Sequence, residues 1–400
     1  MKQMRSGEAL AAIQSPFQRL RDLLGEEKPG AAPIDMTIGE PRHGMPTFAT
    51  EIVARHAKEF EKYPPIGGIP DLRAAIADWL TRRNVLGGDA AIDADRHVLL
   101  LCGTREGLVS ALVVAKARAG KNSPAVLMPN PFYQAYYAAA VAAECEPVLL
   151  PATRETHFLP DLDTLDPGIL DRAAAFYLAS PANPQGIAAS ATYLERLIDL
   201  ARRHGFYVFL DECYSEIYRG EPPASGIAVA AQTGGFDNVL VFNSLSKRSN
   251  APGMRSGFIA GDPAFLRDFL KFRNVACPQV PLPIQHASAA LWRDEGHVVE
   301  SRALYLAKFD LAETFLGNLP DFYLPDGGFF LWLNLSHLNG GEQAAKTIWK
   351  GCGVKMLPGA YLAQPDASGC NPAKEYARLA LVDPLEVTRE ALDRLASAIL

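Results

Sequence analysis

The chain has 400 residues, of which 48% are hydrophobic and 21% charged, enough to bury a sizeable core and to fill two domains of ordinary size. A formal net charge of −6 excludes the broad basic surface of a nucleic-acid binder, and no apolar run reaches the roughly 18 residues of a membrane span. Six scattered cysteines without a Cys-x-x-Cys pair argue against a disulfide framework, and the stretch MKQMRSGEALAAIQ holds no apolar run long enough for a signal peptide, so a cytoplasmic location is expected.

The first 45 residues are rich in Pro and Gly, with an amphipathic piece near Phe17–Leu24. A helical pattern over 48–62 is ended by Pro64-Pro65-Ile66-Gly67-Gly68, and a second covers Asp71–Arg83, where Leu72, Ile76 and Leu80 share a face. Short apolar runs then alternate with helical segments. The runs are His97–Leu101, Ala125–Met128, Pro147–Leu150, Ala174–Ala179, Phe206–Leu210, Val239–Phe242 and Gly257–Ala260, with helices expected over 105–118 and 193–204. This alternation predicts an α/β fold whose mostly parallel sheet is flanked by helices on both faces, with ligands bound beyond the carboxyl ends of the strands. After about residue 285 the pattern turns α+β: a long helical stretch over 285–318, strands over 329–334 and 376–381, helices over 342–352 and 385–399. The expected division is an N-terminal arm (1–45) that joins a smaller C-terminal domain (286–400), and a large domain (46–285) between them.

Several polar residues interrupt this pattern at strand ends. Gly103, Thr104 and Arg105 lie between a strand and a helix, where Gly permits close approach and the helix N-terminus offers free N–H groups to an anion. Cys102 beside them reads as a small buried apolar residue. Tyr133 could stack on a heteroaromatic ring or fill the core. Asn183-Pro184 fixes a turn that aims an amide inward, or is a plain turn. Asp211 ends an apolar strand, where a carboxylate needs a partner such as a pyridinium N–H, although an N-cap is the common role of Asp there. Tyr214 follows three residues later. Ser244, Ser246, Lys247 and Arg255 form a set that could hold a phosphate beside a nucleophilic amine. A lone lysine is most often a surface residue; the two hydroxyls and the arginine around Lys247 argue otherwise. Arg378 interrupts another apolar strand and suits either a substrate carboxylate or a structural ion pair. The dispersed histidines give no metal-ligand spacing, so no metal is expected, and the serine-hydrolase elbow and the Rossmann and Walker glycine patterns are also missing.

Taken in this order, these motifs resemble the class I/II aminotransferases of fold type I over nearly the whole chain. Ile38-Gly-Glu-Pro41, Gly103-Thr-Arg-Glu106, Asn130-Pro-Phe-Tyr-Gln134, the stretch from Asp211 to Tyr218 and Ser244-Leu-Ser-Lys-Arg-Ser-Asn250 look like the bacterial N-succinyl-diaminopimelate aminotransferases in particular. The resemblance implies pyridoxal 5′-phosphate as cofactor, held by Lys247 as a Schiff base, with the lysine amine as proton shuttle. It implies that Asp211 keeps the ring nitrogen protonated, that Asn183 and Tyr214 bond the phenolic oxygen, and that Tyr133 stacks on the ring. Gly103, the amides of Thr104 and Arg105, Ser244, Ser246 and Arg255 would cradle the phosphate. Tyr63 would reach that phosphate from a neighbouring subunit, which implies a homodimer. Arg378, Asn183 and the backbone at Gly39 would grip the substrate. The implied substrates are an amino acid and a 2-oxo acid exchanged in ping-pong fashion, N-succinyl-diaminopimelate with 2-oxoglutarate in particular. Aspartate or aromatic donors, or C–S β-elimination on the same scaffold, are the alternatives. A non-catalytic sensor is disfavoured because no catalytic position is vacant, and a nicotinamide-dependent reductase because its glycine fingerprint is missing. Arg105, Arg248 and Arg273 are the candidates to read a distal carboxylate.

Overall fold

The computed structural model describes residues 14–88, 91–366 and 368–399. Twelve strands follow one another along these residues: β1 (Ile34–Asp35), β2 (Val98–Leu101), β3 (Ala125–Asn130), β4 (Glu146–Pro151), β5 (Ala173–Ala179), β6 (Tyr207–Asp211), β7 (Val239–Ser244), β8 (Gly257–Gly261), β9 (Phe330–Asn334), β10 (Val354–Lys355), β11 (Leu357–Pro358) and β12 (Tyr376–Ala380). Seven of them form the central sheet in the order β2-β8-β7-β6-β5-β3-β4. Only β8 runs antiparallel to its neighbours, so the expected α/β sheet is present.

Successive strand residues face opposite sides, and both sides are buried, which is why these strands read as continuous apolar runs. Val208, Leu210, Val239 and Val241 join one core with the helices Pro70–Arg83, Ala191–His204 and Leu282–Arg293. Tyr207, Phe209, Leu240 and Phe242 join a second core with the helices Thr104–Ala119, Gln134–Ala142 and Pro263–Ala276. Trp292 anchors the first core, fully buried with ring centroids 4.7 Å from Trp79 and 5.1 Å from Phe258. Trp292→Ala is expected to cost about 3–5 kcal/mol, the usual penalty for deleting a large core ring; a urea midpoint equal to wild type would refute that anchoring.

The remaining strands make two small sheets. β11, β12 and β9 pair antiparallel, and β1 pairs parallel with β10. Ile34 and Met36 thereby share a core with Leu331, Leu379 and Leu395. Three of these strands are two residues long, too short for any periodicity to betray them.

The structure redraws two of the expected helices. The 48–62 segment divides into an α-helix, Thr47–Arg55, and a 3₁₀ turn, Ala57–Glu61. The 285–318 stretch is two helices, Leu282–Arg293 and Gly296–Leu316. The Asp294 carboxylate accepts from the backbone N–H of His297 at 3.1 Å, and Arg248 donates to Glu295 at 2.6 Å. The local Asp294 bond competes with the helix ladder, and the distant arginine holds the chain where the ladder breaks. Cys102 is half-buried rather than buried. Among the described residues no helix is long and apolar enough to cross a membrane.

Candidate active site

The carboxyl ends of β5, β6 and β7 lie side by side, with Ala179 paired to Asp211 and Asp211 to Phe242. A cleft of about 480 Å³ opens above them. β7 runs into the helical turn Leu245–Arg248, started by the Ser244 hydroxyl, which accepts from the Ser246 N–H at 3.3 Å. That turn raises Lys247 from the strand end into the cleft. Its Nζ donates to the Gly39 carbonyl at 2.6 Å and lies 5.2 Å from the Phe329 ring centre. Poor solvation there lowers the amine to about 8.

Asp211 is buried at the cleft floor. Its carboxylate accepts from the Tyr136 hydroxyl at 3.0 Å and from the Cys213 N–H at 3.3 Å. Burial raises its pKa, opposed by those hydrogen bonds. Among the described residues it forms no ion pair.

The opposite end of the floor is cationic. Arg255 adopts a left-handed conformation at φ 50° and donates to the carbonyls of Pro252, at 3.0 Å, and Cys102, at 3.3 Å. Its guanidinium packs against Gly103, where a Cβ would come within 2.3 Å of it. Gly103 thus serves both its own φ of 78° and this close approach. The helix that starts at Thr104 has no side-chain cap, so its first N–H groups face the same corner.

Arg378 enters from β12. It donates to Asn183 Oδ1 at 2.9 Å and to the Thr37 carbonyl at 2.8 Å, over the face of Phe330 at 4.2 Å. Its Nε finds no partner, and burial lowers the guanidinium to about 10. Gly39 packs against Phe330, where a Cβ would come within 2.5 Å. Tyr214 is buried edge-on to Phe329 and Phe330. At the rim, Arg105 Nε donates to the Tyr133 hydroxyl at 2.7 Å.

The sequence-selected residues therefore surround one cleft, with two qualifications. Gly103 backs Arg255 rather than lining the space, and Tyr63 lies fully exposed outside it. The three candidate distal arginines separate. Arg248 is buried between Trp79 and Trp292 and bonds the Leu291 carbonyl and Glu295, while Arg273 pairs with Glu106. Only Arg105 faces the cleft. Sequence reasoning missed Tyr136, which sits in an apolar helix and reads as core, and Glu40 at the rim.

The family model for class I and II aminotransferases matches residues 31–398. The chain belongs to that family. An LL-diaminopimelate aminotransferase from Desulforudis audaxviator is 29% identical over 386 residues, 95% of this chain and 94% of that one. A crystal structure of an aminotransferase from Neisseria meningitidis superposes with a TM-score of 0.92 at 34% identity, covering 98% of this chain and 99% of that one. A probable N-succinyldiaminopimelate aminotransferase from Thermus thermophilus shares the fold, with a TM-score of 0.81 at 24% identity over 98% of this chain and 100% of that one.

This aminotransferase uses pyridoxal 5′-phosphate. The residues present fit that cofactor. A buried carboxylate without an ion partner suits a protonated ring nitrogen, and a depressed lysine amine suits an aldehyde. The Ser244, Ser246 and Arg255 donors beside an uncapped helix start suit a phosphate.

Proposed function

We propose that Lys247, Asp211, Asn183, Tyr214, Arg255 and Arg378 carry amino transfer between an amino acid bearing a distal carboxylate and a 2-oxo acid, with a diaminopimelate-type donor as the best fit. The observation that supports the donor class is the pair of arginines in one cleft. Arg378 is fixed by Asn183 and the Thr37 carbonyl, and Arg105 stands free of any carboxylate at the rim. Two guanidinium groups match the two carboxylates of such a donor. The names of the relatives support the same class, although they favour diaminopimelate itself over its N-succinyl derivative.

Bound pyridoxal 5′-phosphate supplies a carbonyl for the amino group and an electron-withdrawing ring. The protein does the rest. Asp211 holds a proton on the ring nitrogen, and its burial makes that ion pair strong. Ser244, Ser246, Arg255 and the amides of Thr104 and Arg105 would hold the phosphate, Tyr133 would face the ring, and Asn183 and Tyr214 would donate to its phenolic oxygen. Arg378 and the Gly39 backbone orient the substrate carboxylate so that the Cα–H faces Lys247. The Lys247 amine would be the base placed to take the proton from that carbon, and its protonated form the carrier of that proton. Tyr63, exposed on this protomer, completes the phosphate site of a second copy in a homodimer.

Arg105→Ala tests the donor class. KM for diaminopimelate should rise about 10–100-fold, from the roughly 1.5–3 kcal/mol of a charged hydrogen bond, while alanine as donor is unaffected. A donor panel with 2-oxoglutarate decides more broadly: preference for aromatic donors would sink the two-carboxylate reading, and release of ammonia and pyruvate from cystathionine without 2-oxoglutarate consumption would sink transamination itself.

A further inference from the structure

The loss of regularity after Arg55 brings His56 and Glu59 against a third group that lies 227 residues beyond Glu59 in the sequence. His56 Nδ1 lies 2.7 Å from Glu59 Oε1, and His286 Nε2, on the helix Leu282–Arg293, lies 3.2 Å from Glu59 Oε2. The two imidazoles stack with centroids 3.8 Å apart and planes 18° from parallel. One ligand-capable atom from each of the three side chains lies within 4.8 Å of the other two. Each side chain is only about one-third exposed, at 35, 33 and 27% for His56, Glu59 and His286.

We propose that His56, Glu59 and His286 form a binding site for a zinc-like divalent cation, separate from the amino-transfer cleft. Two imidazoles and one carboxylate are a borderline-soft donor set that suits Zn²⁺ or Ni²⁺ and does not suit Mg²⁺. In a tetrahedral zinc site, ligands at roughly 2.0–2.2 Å stand about 3.4 Å from one another. The two nitrogen-to-oxygen separations already approach that value. An ion entering between them requires the two stacked imidazoles to turn so that their in-plane lone pairs converge on it, and leaves a fourth position for water.

None of the three residues lines the cleft. Asp71, the next carboxylate toward His286, is already held by Arg293 at 2.5 Å and does not compete. The ion would tie the 3₁₀ turn Ala57–Glu61 to the helix Leu282–Arg293, and Tyr63 follows that turn by two residues. Metal occupancy would thus stiffen the segment that ends at this exposed tyrosine.

Titration of tag-free holoenzyme with Zn²⁺ in a calorimeter tests the site. One ion per chain is expected, with no heat from Mg²⁺. His286→Asn and Glu59→Gln should each weaken binding by more than the roughly 10–100-fold that loss of an outer partner costs, with the far-ultraviolet spectrum and amino transfer unchanged. Anomalous diffraction at the zinc edge should place the ion between the three side chains. Wild type that takes up no zinc, variants that bind it as wild type does, or an anomalous peak elsewhere would each overturn the proposal. None of these outcomes depends on the identity of the amino donor.

Discussion

Lys247→Ala is expected to lower amino transfer by at least about 10⁴-fold, the upper end of what a positioned acid–base contributes, because the proposed covalent partner of the cofactor is removed with it. Borohydride treatment of wild type should leave a reduced pyridoxyl group on the peptide containing Lys247, and none on that peptide in the variant. The amine's environment adds a pH signature. Its pKa falls to about 8, so the neutral, nucleophilic form grows as pH rises toward that value. Cofactor uptake by the apoprotein should therefore accelerate about tenfold per pH unit below 8 and level off above it. Near-normal turnover in Lys247→Ala would remove the lysine from the mechanism. A flat uptake profile would contradict the desolvated amine.

Asp211→Asn is the second large effect. The asparagine side chain can still accept the Tyr136 hydroxyl bond, so the floor of the cleft should keep its shape. It cannot hold a positive charge on the ring nitrogen. Breaking one partner of a buried charged pair costs about 3–5 kcal/mol, so kcat should fall roughly 10²–10⁴-fold. The cofactor should remain bound through the phosphate corner and Lys247, and the absorption band of the bound cofactor should shift. A variant that keeps wild-type kcat with a filled site would show that the ring nitrogen needs no carboxylate here.

The large sheet was legible because its strands are buried on both faces and therefore read as unbroken apolar runs. Asp211 and Ser244 stood out for the same reason, as polar residues placed where such runs end. Tyr136 gave no comparable signal. It lies in Gln134–Ala142, a helix that is apolar on every side, and only its contact with β6 across the cleft gives its hydroxyl a purpose. Neighbours in one helical turn were equally opaque. Lys247 and Arg248 are adjacent cations, yet about 100° of helical rotation sends one into the cleft and the other between two tryptophans. The grouping of His56 and Glu59 with His286 spans 227 residues between its acid and the distant imidazole, which no local spacing rule can see. The break at Asp294 was hidden because Asp and Glu are ordinary helix residues until a distant arginine claims them.

The carbonyl of Gly39 that receives the Lys247 amine belongs to a strip of chain whose preceding residues, Ile34 and Met36, pack with the last helix and not with the central sheet. The floor of the cleft and its ceiling are therefore inherited from separate hydrophobic cores. Selection acting on the ceiling, through Phe17, Ile38 and Glu40, can alter which side chains are admitted while the chemistry beneath stays fixed. A directed-evolution library confined to Phe17, Ile38 and Glu40 would explore donor preference while leaving Gly39 and Lys247 in place.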